Sequence, residues 1–212
     1  MTKAKICGLS TPEGVEAALA GGASHLGFVF VENSPRYVTP QQAAQLAAPA
    51  RGKAKIVALM VDPKWPLIEA VVTALMPDFV QLHGDEKPYR ITEISRQAGR
   101  GIIKALPVST AADIRDAQAY DGMVEHLMFD ARPPQGSDRA GGNGVAFDWS
   151  LLAEAKFQRP YFLAGGLNPW NVEEAIRLTG APMVDVSSGV ERGPGLKDPA
   201  LITEFLDAVR RT

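Results

Sequence analysis

Residues 161–195, YFLAGGLNPWNVEEAIRLTGAPMVDVSSGVERGPG, contain two short apolar runs that each break into small residues. Phe162 and Leu163 lead into Ala164, Gly165, Gly166 and Leu167, then Asn168 and Pro169; Met183 to Val186 leads into Ser187, Ser188 and Gly189. Both runs read as a buried strand feeding a loop. Glycine lets the backbone approach an anion closely, serine adds a hydroxyl donor, and a helix start presents free N–H groups with partial positive charge. Two such turns in succession suggest a phosphate grip. The plainer reading is a pair of tight strand-to-helix turns.

The same alternation, short apolar runs followed by apolar residues at helical spacing, recurs along the whole chain and is the mark of repeated βα units. Strands are expected at residues 4–8, 25–30, 55–60, 79–83, 101–106, 126–130, 161–164 and 183–187, each followed by a helix. Thr11 with Pro12, Thr39 with Pro40, Asn168 with Pro169 and Asp198 with Pro199 each set a capping side chain before a proline suited to the first helical position. Leu67, Ile68, Val71, Val72 and Leu75 form one helical stripe, and Leu201, Ile202, Phe205, Leu206 and Val209 form another. Ile56, Val57, Ala58, Leu59 and Met60 are apolar without alternation, as in a strand covered on both faces. Eight such units in 212 residues imply a single-domain (β/α)₈ TIM barrel of eight parallel strands, with a doubly wound open sheet as the runner-up. The longest irregular connection, residues 131–146, contains Pro133, Pro134, Gly136, Gly141, Gly142 and Gly144, and its length suggests a lid.

A formal charge of −2 with both signs scattered argues against nucleic acid and against a polybasic membrane contact, which leaves a small molecule as the partner. The first residues lack a signal-peptide pattern, so a cytoplasmic protein is expected. One cysteine, Cys7, excludes an internal disulfide framework and a multi-cysteine zinc site.

Active sites of this architecture lie at the C-terminal ends of the strands. Cys7 ends the first strand, His83 the fourth and Asp130 the sixth, while Asp185 and Ser187 lie near the end of the eighth. His25 and His126 fall at strand starts, on the stability face. A carboxylate that ends a buried strand after Leu127, Met128 and Phe129 must be paired or used. Cys7 would otherwise read as a small buried hydrophobe and His83 as a hydrogen-bonded structural histidine. Lys5 shares a strand face with Cys7, which suggests a site that favours the thiolate. Arg36, in the loop after the second strand, suits a carboxylate or phosphate; its plain alternative is a surface ion pair.

Taken together, several segments resemble the phosphoribosylanthranilate isomerases, and the match runs in order from end to end. They are Lys5–Gly8, Gly27–Phe30 with Ser34–Val38, Gln81–Gly84, Phe129–Asp130, Gly141, Gly142 and Gly144 before Phe147–Trp149, Leu163–Leu167 with Asn168, Pro169, Asn171 and Val172, and Val184–Glu191 before Pro194, Gly195, Lys197 and Asp198. The resemblance implies a cofactor-free Amadori rearrangement in tryptophan biosynthesis, on a phosphosugar that carries an anthranilate ring, by a monomer or homodimer. It implies Asp130 as general acid at the ring oxygen and Cys7 as general base at C2′. Arg36 would hold the anthranilate carboxylate, and His83 and Asp185 would support the sugar or the acid and base. The phosphate would sit among Gly165, Gly166, Ser187, Ser188 and Gly189, with the Gly142, Asn143 and Gly144 loop. Asn143 departs from the Thr or Ser more usual there. Two other readings are a different phosphosugar isomerase of this fold and a non-catalytic phosphate-ligand binder. The first would need more metal ligands or a second phosphate turn, and the second would need no acid and base.

Overall fold

Strands that are apolar on both faces need cover on both, and in this chain they obtain it by closing on themselves. The structure is a computed structural model that describes residues 1–132 and 146–212. Strands β1 (Lys3–Cys7), β2 (His25–Val29), β3 (Lys55–Met60), β4 (Phe79–Leu82), β5 (Gly101–Val108), β6 (His126–Ala131), β7 (Tyr161–Leu163) and β8 (Met183–Val186) pair in sequence order. All are parallel, and β8 returns to β1 with Lys5 opposite Asp185. The barrel is therefore closed, and an open doubly wound sheet is excluded.

Alternate residues divide inside from outside. Outward, Ile6, Leu26, Phe28, Met60, Leu82 and Leu163 join one continuous core with the inner faces of the surrounding helices. The helices are α1 (Pro12–Ala20), α2 (Pro40–Ala47), α3 (Trp65–Leu75), α4 (Pro88–Ala98), α5 (Ala111–Asp116), α6 (Ser150–Ala153), α7 (Val172–Thr179) and α8 (Pro199–Arg210). On α8, Ile202, Phe205, Leu206 and Val209 are buried and Leu201 packs at their margin, which matches the stripe read from the sequence. Inward, Val57, Ile103, Ala105, Met128, Phe162 and Met183 fill the middle of the barrel. At its N-terminal end His25, Phe79, His126 and Phe162 form a plug, with ring centroids 5.2–6.4 Å apart. The two histidines at strand starts thus pack as aromatic cover, away from the mouth.

Of the four caps expected before proline, three form. The Thr11 hydroxyl accepts from Gly14 N, Thr39 forms a reciprocal box with Gln42, and Asp198 accepts from Ala200 N and Leu201 N. Asn168 is the exception. Its side chain accepts from Trp170 N (2.9 Å) and its own N–H donates to Asn171 Oδ1 (2.8 Å), so a turn precedes α7, which starts at Val172. Asn171 Nδ2 also donates to Gly166 O (2.9 Å), tying that turn to the end of β7. No described helix is long and apolar enough to cross a membrane.

Candidate active site

Parallel strands deliver all their C-terminal ends to one mouth. Asp130, next to last in β6, is 8% exposed there. Its Oδ2 lies 3.2 Å from His83 Nε2, just beyond β4, and its Oδ1 accepts from Ala131 N at 2.9 Å. Gln81 Nε2 lies 3.2 Å from His83 Nδ1. With the amide donating there, the ring proton sits on Nε2, facing the carboxylate. Gly165 closes over this corner. Its φ of +84° suits glycine, and a Cβ there would stand 2.5 Å from Ala131 N and 3.1 Å from Asp130 Oδ1.

Across the mouth, Cys7 ends β1 and is 3% exposed. Gly27 of β2 provides its space, since a Cβ there would meet Cys7 Sγ at 3.0 Å and Lys5 Cε at 3.1 Å. Lys5, fully buried, donates to Asp185 Oδ1 at 2.7 Å. Burial works against the Lys5 charge, but Asp185 and Cys7 together outweigh it and the ammonium stays above its ordinary range. The expected thiolate-favouring site is corrected here. Burial pushes the Cys7 thiol above its ordinary 9.0; Lys5 and Lys197 pull it down, but Asp185 opposes them. The Lys5 charge is already shared with a carboxylate that itself repels a thiolate.

Arg36 is 5% exposed and forms no ordinary surface pair. Its Nε and Nη2 donate to Glu191 Oε1 and Oε2 at 2.7 and 2.9 Å, so one edge of the guanidinium is already filled. The shank lies over Gly8, whose φ is +76° and whose Cβ would stand 2.5 Å from Arg36 Cδ. Glu191 is presented by a hairpin of β9 (Glu191–Gly193) and β10 (Leu196–Lys197). The same hairpin sets Lys197 Nζ 2.7 Å from Glu191 Oε1 and 2.8 Å from Ser187 O, and Ser187 Oγ donates to Cys7 O at 3.1 Å. Burial opposes the Glu191 charge, but Arg36 and Lys197 hold the carboxyl below its usual range. Burial pushes Lys197 down to about 8. Neither Glu191 nor Lys197 was expected as a site residue. The available signal was a Gly193–Pro194–Gly195 turn with opposite charges on its two flanks.

The two glycine-bearing turns of β7 and β8 touch. A Cβ on Gly189 would collide with the Leu167 carbonyl and approach Asn168 Cα to 3.1 Å. Gly165, Gly166, Ser187, Ser188 and Gly189 are all half-buried. Gly142, Asn143 and Gly144, and most of the expected lid, lie outside the described residues. Around the closed ring the order is β6, β7, β8, β1, β2. The two turns therefore stand between the strand of Asp130 and that of Cys7, with the Arg36 loop beyond.

The profile of the family described as N-(5'phosphoribosyl)anthranilate (PRA) isomerase matches residues 4–208. The chain belongs to the phosphoribosylanthranilate isomerase family. It is 59% identical over 212 residues to an N-(5'-phosphoribosyl)anthranilate isomerase of Caulobacter sp. (strain K31), covering 100% of both chains. It is 51% identical to that of Rhizobium johnstonii over 98% of this chain and 93% of the relative. Among solved structures, the phosphoribosylanthranilate isomerase of Thermotoga maritima superposes with a TM-score of 0.87 at 33% identity, over 100% of both chains. Another isomerase structure of this family holds reduced 1-(o-carboxyphenylamino)-1-deoxyribulose 5-phosphate and superposes with a TM-score of 0.85 at 31% identity, over 100% of both chains.

Proposed function

We propose that Asp130 and Cys7 are the acid and base of the isomerisation for which the family is named. The enzyme catalyses the Amadori rearrangement of N-(5-phosphoribosyl)anthranilate to 1-(2-carboxyphenylamino)-1-deoxyribulose 5-phosphate, a step of tryptophan biosynthesis. The observation that carries the assignment is the ring order. A phosphate held by the turns of β7 and β8 places the ribose between the carboxyl of β6 and the thiol of β1, and leaves the anthranilate toward Arg36 beyond β2. Binding at both ends makes the proton transfers effectively intramolecular.

In the first step Asp130 donates a proton to the furanose oxygen. The bond from C1′ to that oxygen breaks, and the nitrogen lone pair forms the C1′ iminium. Cys7, as thiolate, then removes the C2′ proton, and the C–H electron pair becomes the enolamine double bond and neutralises nitrogen. Tautomerisation of the enolamine gives the ketose, with no net gain or loss of atoms or electrons. Burial keeps the thiolate a minority form, yet it makes that form a stronger base toward carbon. Lys5 and Lys197 are the cations that favour its formation. His83 orients the Asp130 carboxyl, Asp185 holds Lys5, and Glu191 sets the free edge of Arg36 toward the anthranilate carboxylate.

The test is turnover of Cys7→Ser and Asp130→Asn, followed by loss of anthranilate-type fluorescence from substrate made in situ. Each variant should lose at least about a hundredfold in kcat with little change in KM. Wild-type turnover in either removes that residue from the mechanism.

A further inference from the structure

Behind the acid corner, on the outer face of β5, lies an ion pair that the proton transfers do not use. Lys104 is 2% exposed and Glu86 is 4% exposed, and Lys104 Nζ stands 2.6 Å from Glu86 Oε2. A buried pair of this kind gives little net stability, because desolvation offsets the Coulomb gain, so its role lies in what its partners hold in place. Apart from Asp62 N, they flank one residue. Lys104 Nζ donates to Gly84 O at 2.6 Å and reaches Leu82 O at 3.5 Å, the carbonyls on either side of His83. The Glu86 carboxylate accepts from Gly84 N at 3.1 Å and from Asp62 N at 2.9 Å, while His83 N donates to Met60 O at 2.9 Å. The backbone around His83 is thus clamped from the rear, and its ring meets Asp130 Oδ2 at the front.

We infer that the buried Lys104–Glu86 pair is a positioning device for the isomerisation, fixing the backbone of His83 so that the imidazole holds Asp130 at the ring oxygen. The inference rests on Asp130 being the acid. Loss of the clamp lets the loop after β4 relax, and the His83 to Asp130 contact lengthens without any change at the phosphate turns or Arg36. The cost therefore falls on kcat and spares KM.

The test uses E86Q, and the double variant K104M/E86Q, which removes both charges and leaves none buried alone. Thermal unfolding shows whether each variant folds. In those that do, kcat should fall roughly tenfold with KM within about twofold of wild type, since small misplacements of a catalytic group act on the chemical step. The pH profile of kcat should move as well. The imidazole nitrogen resonances of His83, one of only three histidines, should shift in the double variant while those of His25 and His126 stay in place. Folded variants with wild-type kcat and unshifted His83 resonances overturn the inference, and so does an unfolded E86Q beside a folded double variant of full activity. D130N is measured in parallel. If it keeps full turnover, the acid assignment fails on its own account, and the His83 resonances alone decide whether the pair positions that ring.

Discussion

Cys7 shows how far the chemistry of a residue is set by what surrounds it. Its strand end places it at the mouth and Gly27 makes room for its sulfur, yet burial raises the thiol despite two nearby ammonium groups. An unperturbed thiol titrates near 9.0, and burial raises the folded one above that. Thiolate absorbance in the free enzyme should therefore rise with a midpoint above 9.0, and no other cysteine contributes to the signal. A midpoint near neutrality would show that Lys5 and Lys197 dominate after all. Arg36 makes a related point. Its guanidinium is half committed to Glu191 and so is held rigid at small entropic cost when an anion arrives.

At the scale of elements, function depends on loops that touch rather than on any one motif. The β7 and β8 turns meet where Gly189 lies against the Leu167 carbonyl, and the hairpin of β9 and β10 meets the Arg36 loop where Gly195 lies against Pro35 O. Gly189→Ala should push the two turns apart. We expect KM to rise about tenfold or more and competitive inhibition by inorganic phosphate to weaken in parallel, with far-ultraviolet circular dichroism unchanged. An unaltered KM would separate the joint from phosphate binding. The helices are more forgiving, because their burial is spread along stripes such as Ile202, Phe205, Leu206 and Val209.

At the scale of the whole molecule, the barrel divides stability from chemistry along its axis. The N-terminal plug holds His25 buried and His126 half-buried, and both rings resist protonation. Burial, aided by Lys5, His126 and Lys3 and opposed by Asp78, lowers His25 from 6.5 to about 3. His126 is lowered too, by burial first, with Pro160 O opposing. Below the ordinary 6.5 the unfolded chain binds protons that the folded chain refuses, so stability falls with pH from 6.5 until His25 titrates in the fold at about 3. The denaturant midpoint should drop between pH 6.5 and roughly pH 5, above the range where carboxylates dominate, and His25→Phe should flatten that slope. A flat profile in the parent enzyme would show that the plug admits the charge.

The sequence by itself marked the eight βα units and the strand ends that carry Cys7, His83, Asp130 and Asp185, each within a residue or two of its place, while closure of the barrel over the open-sheet alternative and the hairpin between β8 and α8 came from the tertiary structure. The units and strand ends are local properties: unbroken apolar runs mark strands covered on both faces, and Thr or Asp before proline marks a helix start. Asn168 misled because a turn stabilised by two asparagine side chains competes with a cap, and the winner depends on the neighbouring Gly166 carbonyl. The contacts that tune the site were decided only by tertiary structure. Lys5 and Asp185 stand 180 residues apart in sequence, Arg36 and Glu191 stand 155 apart, and Lys104 faces away from the mouth whose geometry it supports. Barrel closure brings such partners together and removes water from between them. The cost of that desolvation, which periodicity does not report, turned the expected thiolate into a buried thiol.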